Sequence, residues 1–180
     1  MNNSTNQENK KQLYNLSEEV RRCTSCSLWK KRTLPVSGEC NCDNNETAKV
    51  MLVYFSPNEE DDRQGTTLNG VEKKYVKEIL KSHKFKEQNL FVTPLIKCYS
   101  KNKSEIKSKN ISTCKKTYLL NQIELINPEL IILCGSKVIS SLIGKNYPLK
   151  KYQNKTISKI INKKSRFFFL TCNVTKLNIK

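Results

Sequence analysis

Apolar residues gather in four short blocks: Val50–Phe55 (VMLVYF), Leu90–Ile96 (LFVTPLI), Leu130–Cys134 (LIILC) and Arg166–Thr171 (RFFFLT). Each has the length and the β-branched or aromatic character of a strand. LIILC shows no alternation at all, which predicts a strand buried on both faces. Between the blocks the apolar period changes to that of a helix. Leu13, Leu16 and Val20 predict a short helix ending at Arg21-Arg22. Val71, Tyr75, Val76, Ile79 and Leu80 share one face after Gly70, and Cys114, Tyr118, Leu119, Ile123 and Ile126 do so within Ile111–Ile126. A further short helix is predicted over Ser136–Ile143. Strand and helix units in alternation predict an α/β fold, a mainly parallel sheet sandwiched between helices.

Pro57 ends the first strand because it has no N–H for a ladder. A polar, acidic loop then runs to Asn69. Strand, polar loop and helix is the form in which an α/β fold presents a ligand site, at the carboxyl end of a strand. Residues 1–10 are polar and are expected to be a disordered tail, with residues 11–180 forming one domain.

Composition sharpens this. The 180 residues hold 33 Lys and Arg against 16 Asp and Glu, a net charge of +17. Such an excess favours a polyanionic partner, since each phosphate neutralised releases counterions. Only five of the 33 are Arg, so Lys-rich coding bias is a competing explanation. No signal peptide and no apolar run of about 20 residues is present, so an intracellular chain without a membrane span is expected. In that compartment eight cysteines point to metal or cluster binding rather than to disulfides.

Cys23-Thr-Ser-Cys26 can aim two thiolates at one centre from a single turn. Two quartets compete to complete it. Cys40 and Cys42 would make a local zinc site, whereas Cys98 and Cys114 would tie a strand end and a helix to the N-terminal segment, as an iron–sulfur cluster does. Outside the first quartet, Cys40 and Cys42 remain as a second metal site or a free-thiol pair. Cys134 reads best as a small buried hydrophobe. The acidic run Glu59-Glu60-Asp61-Asp62 is most simply a solvated loop, and His83 a surface residue.

These residues together resemble the family 4, thermophile-type uracil-DNA glycosylases. The likeness is carried by CTSC with SLWKKRTLPVSGE, by KVMLV, by SPNEEDDRQG with Gly70, by IKC at Ile96–Cys98, and by Cys114 followed by LLNQIELINPELIILCG. It implies a four-stranded parallel sheet between helices, with DNA crossing the carboxyl ends of the strands. It also implies a 4Fe–4S cluster on Cys23, Cys26, Cys98 and Cys114, zinc being the alternative. The end of the chain at Lys180 falls short of the family's last helix.

At the positions that the resemblance assigns to chemistry, the residues differ. Phe55 stands where the family has the acidic residue that places the attacking water. Leu68 replaces the Phe that stacks on the flipped uracil. Pro94 replaces the Asn that reads the base, and Cys172 the His that supports the leaving uracil anion. Asp62 is the candidate substitute base. The expectation is a DNA-binding or accessory subunit of a repair or replication complex, a basic pseudoenzyme that keeps the cluster. The alternatives are an active glycosylase of altered base specificity and a protein-interaction scaffold.

Overall fold

Strand β2 (Val50–Tyr54) is buried along its whole length and forms the axis of the fold. The computed structural model describes residues 3–40, 42, 48–70, 73–74, 76–77 and 89–172. Around β2 lie β3 (Leu90–Pro94), β4 (Leu130–Cys134) and β6 (Lys164–Thr171), all parallel, with Tyr54 opposite Pro94, Val53 opposite Leu133 and Cys134 opposite Thr171. These are the four strands that the apolar blocks predict. Two antiparallel edge strands extend them: β1 (Glu39–Cys40) beside β3 and β5 (Lys155–Ile161) beside β6. The sheet is therefore six-stranded, in the order β1-β3-β2-β4-β6-β5. The edges escaped the sequence reading because β1 is two residues long and β5 alternates only weakly within a basic stretch.

Six α-helices belong to the described residues: α1 (Asn3–Arg21), α2 (Glu59–Gln64), α3 (Ser108–Cys114), α4 (Leu120–Ile126), α5 (Ser136–Leu142) and α6 (Leu149–Tyr152). No helix among these residues is long and apolar enough to cross a membrane. Residues 3–10 are not the expected tail; they are the first turns of α1. The stretch is rich in Gln, Glu and Lys, which are good helix formers. It is also anchored, as Asn9 Nδ2 donates to the Leu125 carbonyl at 3.2 Å and Leu16 and Val20 are buried against Tyr118. The helix expected after Gly70 lies largely outside the described residues; Lys73, Lys74, Val76 and Lys77 are helical, and Val76 is buried.

Helices α3 and α4 are one rod interrupted by a π-helical turn, Lys115–Leu119. The rod serves three neighbourhoods. Cys114 packs with Ile96, Cys98 and Leu28; Tyr118 packs with α1; Leu119, Ile123 and Ile126 join the main core with Met51, Val53, Ile131 and Phe168. One face of the sheet is covered in this way. Leu68 and Val76 pack with Val50, Leu52, Tyr54, Ile132 and Cys134 in a separate cluster.

Candidate functional site

Because β3, β2, β4 and β6 are parallel, their carboxyl ends share one edge of the sheet, where Pro94, Tyr54-Phe55, Cys134-Gly135 and Thr171-Cys172 follow one another. Three of the sequence-assigned positions, Phe55, Pro94 and Cys172, therefore do lie together at this edge. Phe55 is half-buried against the main core, its carbonyl accepts from Ile96 N at 3.0 Å, and Lys137 Nζ lies 4.7 Å from its ring centroid. Pro94 is buried, and its carbonyl accepts from Lys97 Nζ at 2.8 Å. Cys172 lies near enough to Cys134 for each charge to be felt, although burial is what chiefly raises the Cys134 thiol. Leu68 faces the other way: buried beside Tyr54, it adopts a left-handed φ of 49°.

The acidic run is not a solvated loop. Asn58 caps α2, accepting from Asp61 N at 2.7 Å while Asp61 Oδ2 accepts from Asn58 N at 3.2 Å, a reciprocal capping box. Asp61 also accepts from Asn69 N at 2.7 Å and from Tyr54 Oη at 3.2 Å, and both Asp61 and Asp62 are buried. Burial raises the Asp61 carboxyl above the ordinary range, against the hydrogen bonds that favour its charge. Asp62, the candidate substitute base, accepts from Thr33 N at 2.9 and 3.1 Å and holds the 33–34 backbone to α2. The cue was present in the sequence: Asn followed three residues later by Asp, with four acids in one turn, is a helix start.

The thiols come from separate elements. Cys23 and Cys26 follow α1, Cys98 lies beyond β3, and Cys114 ends α3. Cys26 packs against the cluster formed by Cys98, Cys114, Leu28, Ile96 and Ile106. Burial pushes the Cys98 thiol up to about 11, and Cys114 and Cys26 act on it in the same direction. Cys114 is likewise raised by burial, then by Cys26 and Cys23. For Cys23 burial also acts upward, but hydrogen bonds from Tyr118 and Ser25 and the charge of Arg32 outweigh it, so the net shift is down. Arg32 ties the set together: its Nη1 donates to Cys98 Sγ at 3.1 Å and its Nη2 to the carbonyls of Cys23 and Arg21 at 3.0 and 3.2 Å. Among the described residues no three Cys, His, Asp or Glu side chains are gathered in metal-holding geometry. The donor set nonetheless suits an iron–sulfur cluster: four thiols that feel one another's charge in an apolar pocket, with a guanidinium to offset that charge. Cys40 and Cys42 are bonded to each other, so they form neither the local zinc quartet nor a free-thiol pair.

Sequence reasoning passed over three lysines. Lys97 is fully buried; its Nζ donates to Thr93 Oγ1 at 2.6 Å, Pro94 O at 2.8 Å, Gln122 Oε1 at 2.9 Å and Ser37 O at 3.2 Å, which locks the 37–38 segment to β3 and α4. Lys103 reaches Ser56 Oγ at 2.8 Å and Pro57 O at 2.7 Å, and Lys137 covers Phe55. In a chain this rich in lysine, no pattern sets these three apart.

The model of the uracil DNA glycosylase superfamily matches residues 43–172. A protein of Thermotoga maritima described as a type-4 uracil-DNA glycosylase is 29% identical over 150 residues, 83% of this chain and 76% of that one. Proteins of the same description from Saccharolobus solfataricus and Sulfurisphaera tokodaii are 33% and 32% identical over 72% and 75% of this chain. The aligned region spans 58% and 61% of those two proteins. With a family match over most of its length and the parallel sheet to go with it, the chain belongs to the uracil-DNA glycosylase superfamily.

Proposed function

We propose that this chain is a DNA-binding member of the superfamily that holds a 4Fe–4S cluster on Cys23, Cys26, Cys98 and Cys114 and no longer excises uracil, serving as a DNA-binding or accessory subunit in repair or replication. The observation that carries the reading is the chemistry of the strand ends. Phe55, Pro94 and Cys172 stand there without a carboxylate, an amide or an imidazole, and Asp62 is buried on the Thr33 amide. A positioned general base is worth about 10²–10⁴ in rate, and a hydrogen bond to developing charge about 10²–10³. Because such losses do not add fully, the larger alone sets the floor for the deficit.

DNA binding is supported by the net charge of +17 and by Lys103 and Lys137 at the carboxyl edge of the sheet. The cluster, when bound, would pin the CTSC turn, the end of β3 and the end of α3 to one centre. The test incubates cluster-loaded protein with uracil-containing single- and double-stranded oligonucleotides, assays abasic sites, and measures binding as salt is raised. No abasic sites and salt-sensitive binding are expected. Release of uracil at an enzymatic rate overturns the loss of excision, and salt-insensitive or absent binding overturns the DNA-facing role. Iron and sulfide content per chain decides between the cluster and zinc.

A further inference from the structure

Beyond Cys98 the chain turns back over the carboxyl edge of the sheet. Lys103–Glu105 forms a single 3-10 turn there, capped by Asn102, whose side chain accepts from Ser104 N at 3.0 Å. This turn places Lys103 Nζ against Ser56 Oγ and Pro57 O, directly after β2. The Tyr99 ring centroid lies 5.1 Å from the same nitrogen. From the other side, α5 brings Lys137 Nζ over the Phe55 ring. Two primary amines thus flank Phe55 at the position where the strands present a substrate.

Lys103 has the setting of an amine nucleophile. It is half-buried, and among the described residues no carboxylate is ion-paired with it. Burial pulls its pKa below the ordinary lysine value; Lys137 acts in the same direction, and the charge of Asp61 opposes them. A lysine desolvated beside a second cation is the arrangement that activates an amine toward a carbonyl carbon. The edge also has nothing with which to read a base, since Pro94 offers no N–H and Leu68 is buried away from it. A deoxyribose that has already lost its base makes no such demand, and in its ring-opened form it carries an aldehyde at C1′.

We infer that Lys103 captures abasic sites in DNA covalently, its Nζ forming an imine with the C1′ aldehyde. The inference rests on the DNA-binding reading above. The Nζ lone pair forms the new C–N bond, the carbonyl oxygen leaves with the two Nζ hydrogens as water, and hydrolysis reverses the step. No oxidant, reductant or metal takes part.

The test mixes the full chain with a duplex oligonucleotide bearing one abasic site, adds borohydride to reduce any imine to a stable secondary amine, and maps the crosslinked peptide by mass spectrometry. Binding to the same duplex is followed in parallel by salt titration. An adduct on Lys103 is expected. Lys103→Arg keeps the charge and the reach to Ser56 and Pro57 but has no amine to form the neutral imine, so it should bind the duplex with an adduct yield at least about tenfold lower. Lys150→Arg, on an exposed helix remote from this turn, should leave the yield unchanged. An adduct spread over surface lysines, or one undiminished in Lys103→Arg, overturns the inference. Retained binding without adduct overturns it alone, whereas absence of binding overturns the DNA-binding reading together with it.

Discussion

Arg32 is one side chain with three partners on two segments, Cys98 Sγ and the carbonyls of Arg21 and Cys23. Outer partners of a metal site commonly contribute about 10–100-fold to its retention. Arg32→Ala is therefore expected to lose iron to a chelator about that much more readily, read as iron remaining per chain, while Arg32→Lys restores only part because a single ammonium lacks the fork. Gly38 is a different kind of constraint. Its φ of +110° is open to glycine, and a Cβ there would meet Thr93 Oγ1 at 2.6 Å and Thr93 Cβ at 2.9 Å. These atoms belong to the buried Lys97 network and cannot swing aside. Gly38→Ala should cost about 2–4 kcal/mol, measured as a fall in the urea midpoint without change in slope. Neither residue was marked by the sequence. Arg32 is one basic residue in a basic segment, and a glycine's φ is set by what lies across from it.

Among the elements, β6 is fastened to α4 by Glu124. The buried Arg166 guanidinium donates to Glu124 Oε2 at 3.1 Å and to Asn127 Oδ1 at 3.2 Å, and Lys164 Nζ pairs with Glu124 Oε1 at 2.6 Å. The Lys164 hydrogen bond comes first in holding the Glu124 carboxyl below its usual range, with the charges of Lys164 and Arg166 adding to it. A lowered carboxylate pKa means that the native state binds fewer protons, so this stabilisation is complete above the ordinary glutamate pKa and is lost as pH falls through the folded value. Glu124→Gln is expected to cost about 1 kcal/mol at neutral pH, a figure reduced for the solvent exposure of Glu124, and the difference from the native chain should vanish in acid. Lys164→Gln should cost less, since its own side chain is 52% exposed. Thermal unfolding across pH checks both. At this scale the sequence was most legible. The four parallel strands stand where apolar blocks predicted them, because a strand buried on both faces has no polar positions to blur it. Helix α2 was taken for a loop because its content is acidic rather than periodic; its two buried aspartates are held by backbone amides, a source of order that hydrophobic patterning does not register.

For the molecule as a whole, charge gives the clearest measurable consequence of the proposed role. If about three phosphates are neutralised, a fourfold rise in salt should weaken DNA binding about 40-fold. A flat response would leave the lysine excess as composition alone. The fold and the thiol segments were readable because each is a local pattern, a run of apolar residues or a Cys-x-x-Cys. The amines over Phe55 were not, because the topology assembles them: Lys103 arrives from a turn after β3 and Lys137 from the start of α5. The π turn has a consequence of a similar kind for what the gene can tolerate. Lys115–Leu119 is equivalent to an α-helix carrying one surplus residue, with the helical phase before and after it undisturbed. Removing the exposed Lys116 should let the rod close into a regular helix with Cys114 and Ile123 still facing their own neighbours, and the deleted chain should fold. Removing Asn121, a few residues on, would rotate everything beyond it by about 100° and turn Ile123 and Ile126 out of the core, so that chain should not fold. Two one-residue deletions barely a turn apart would thus have opposite fates, and the spare residue is where this lineage can change length without changing shape.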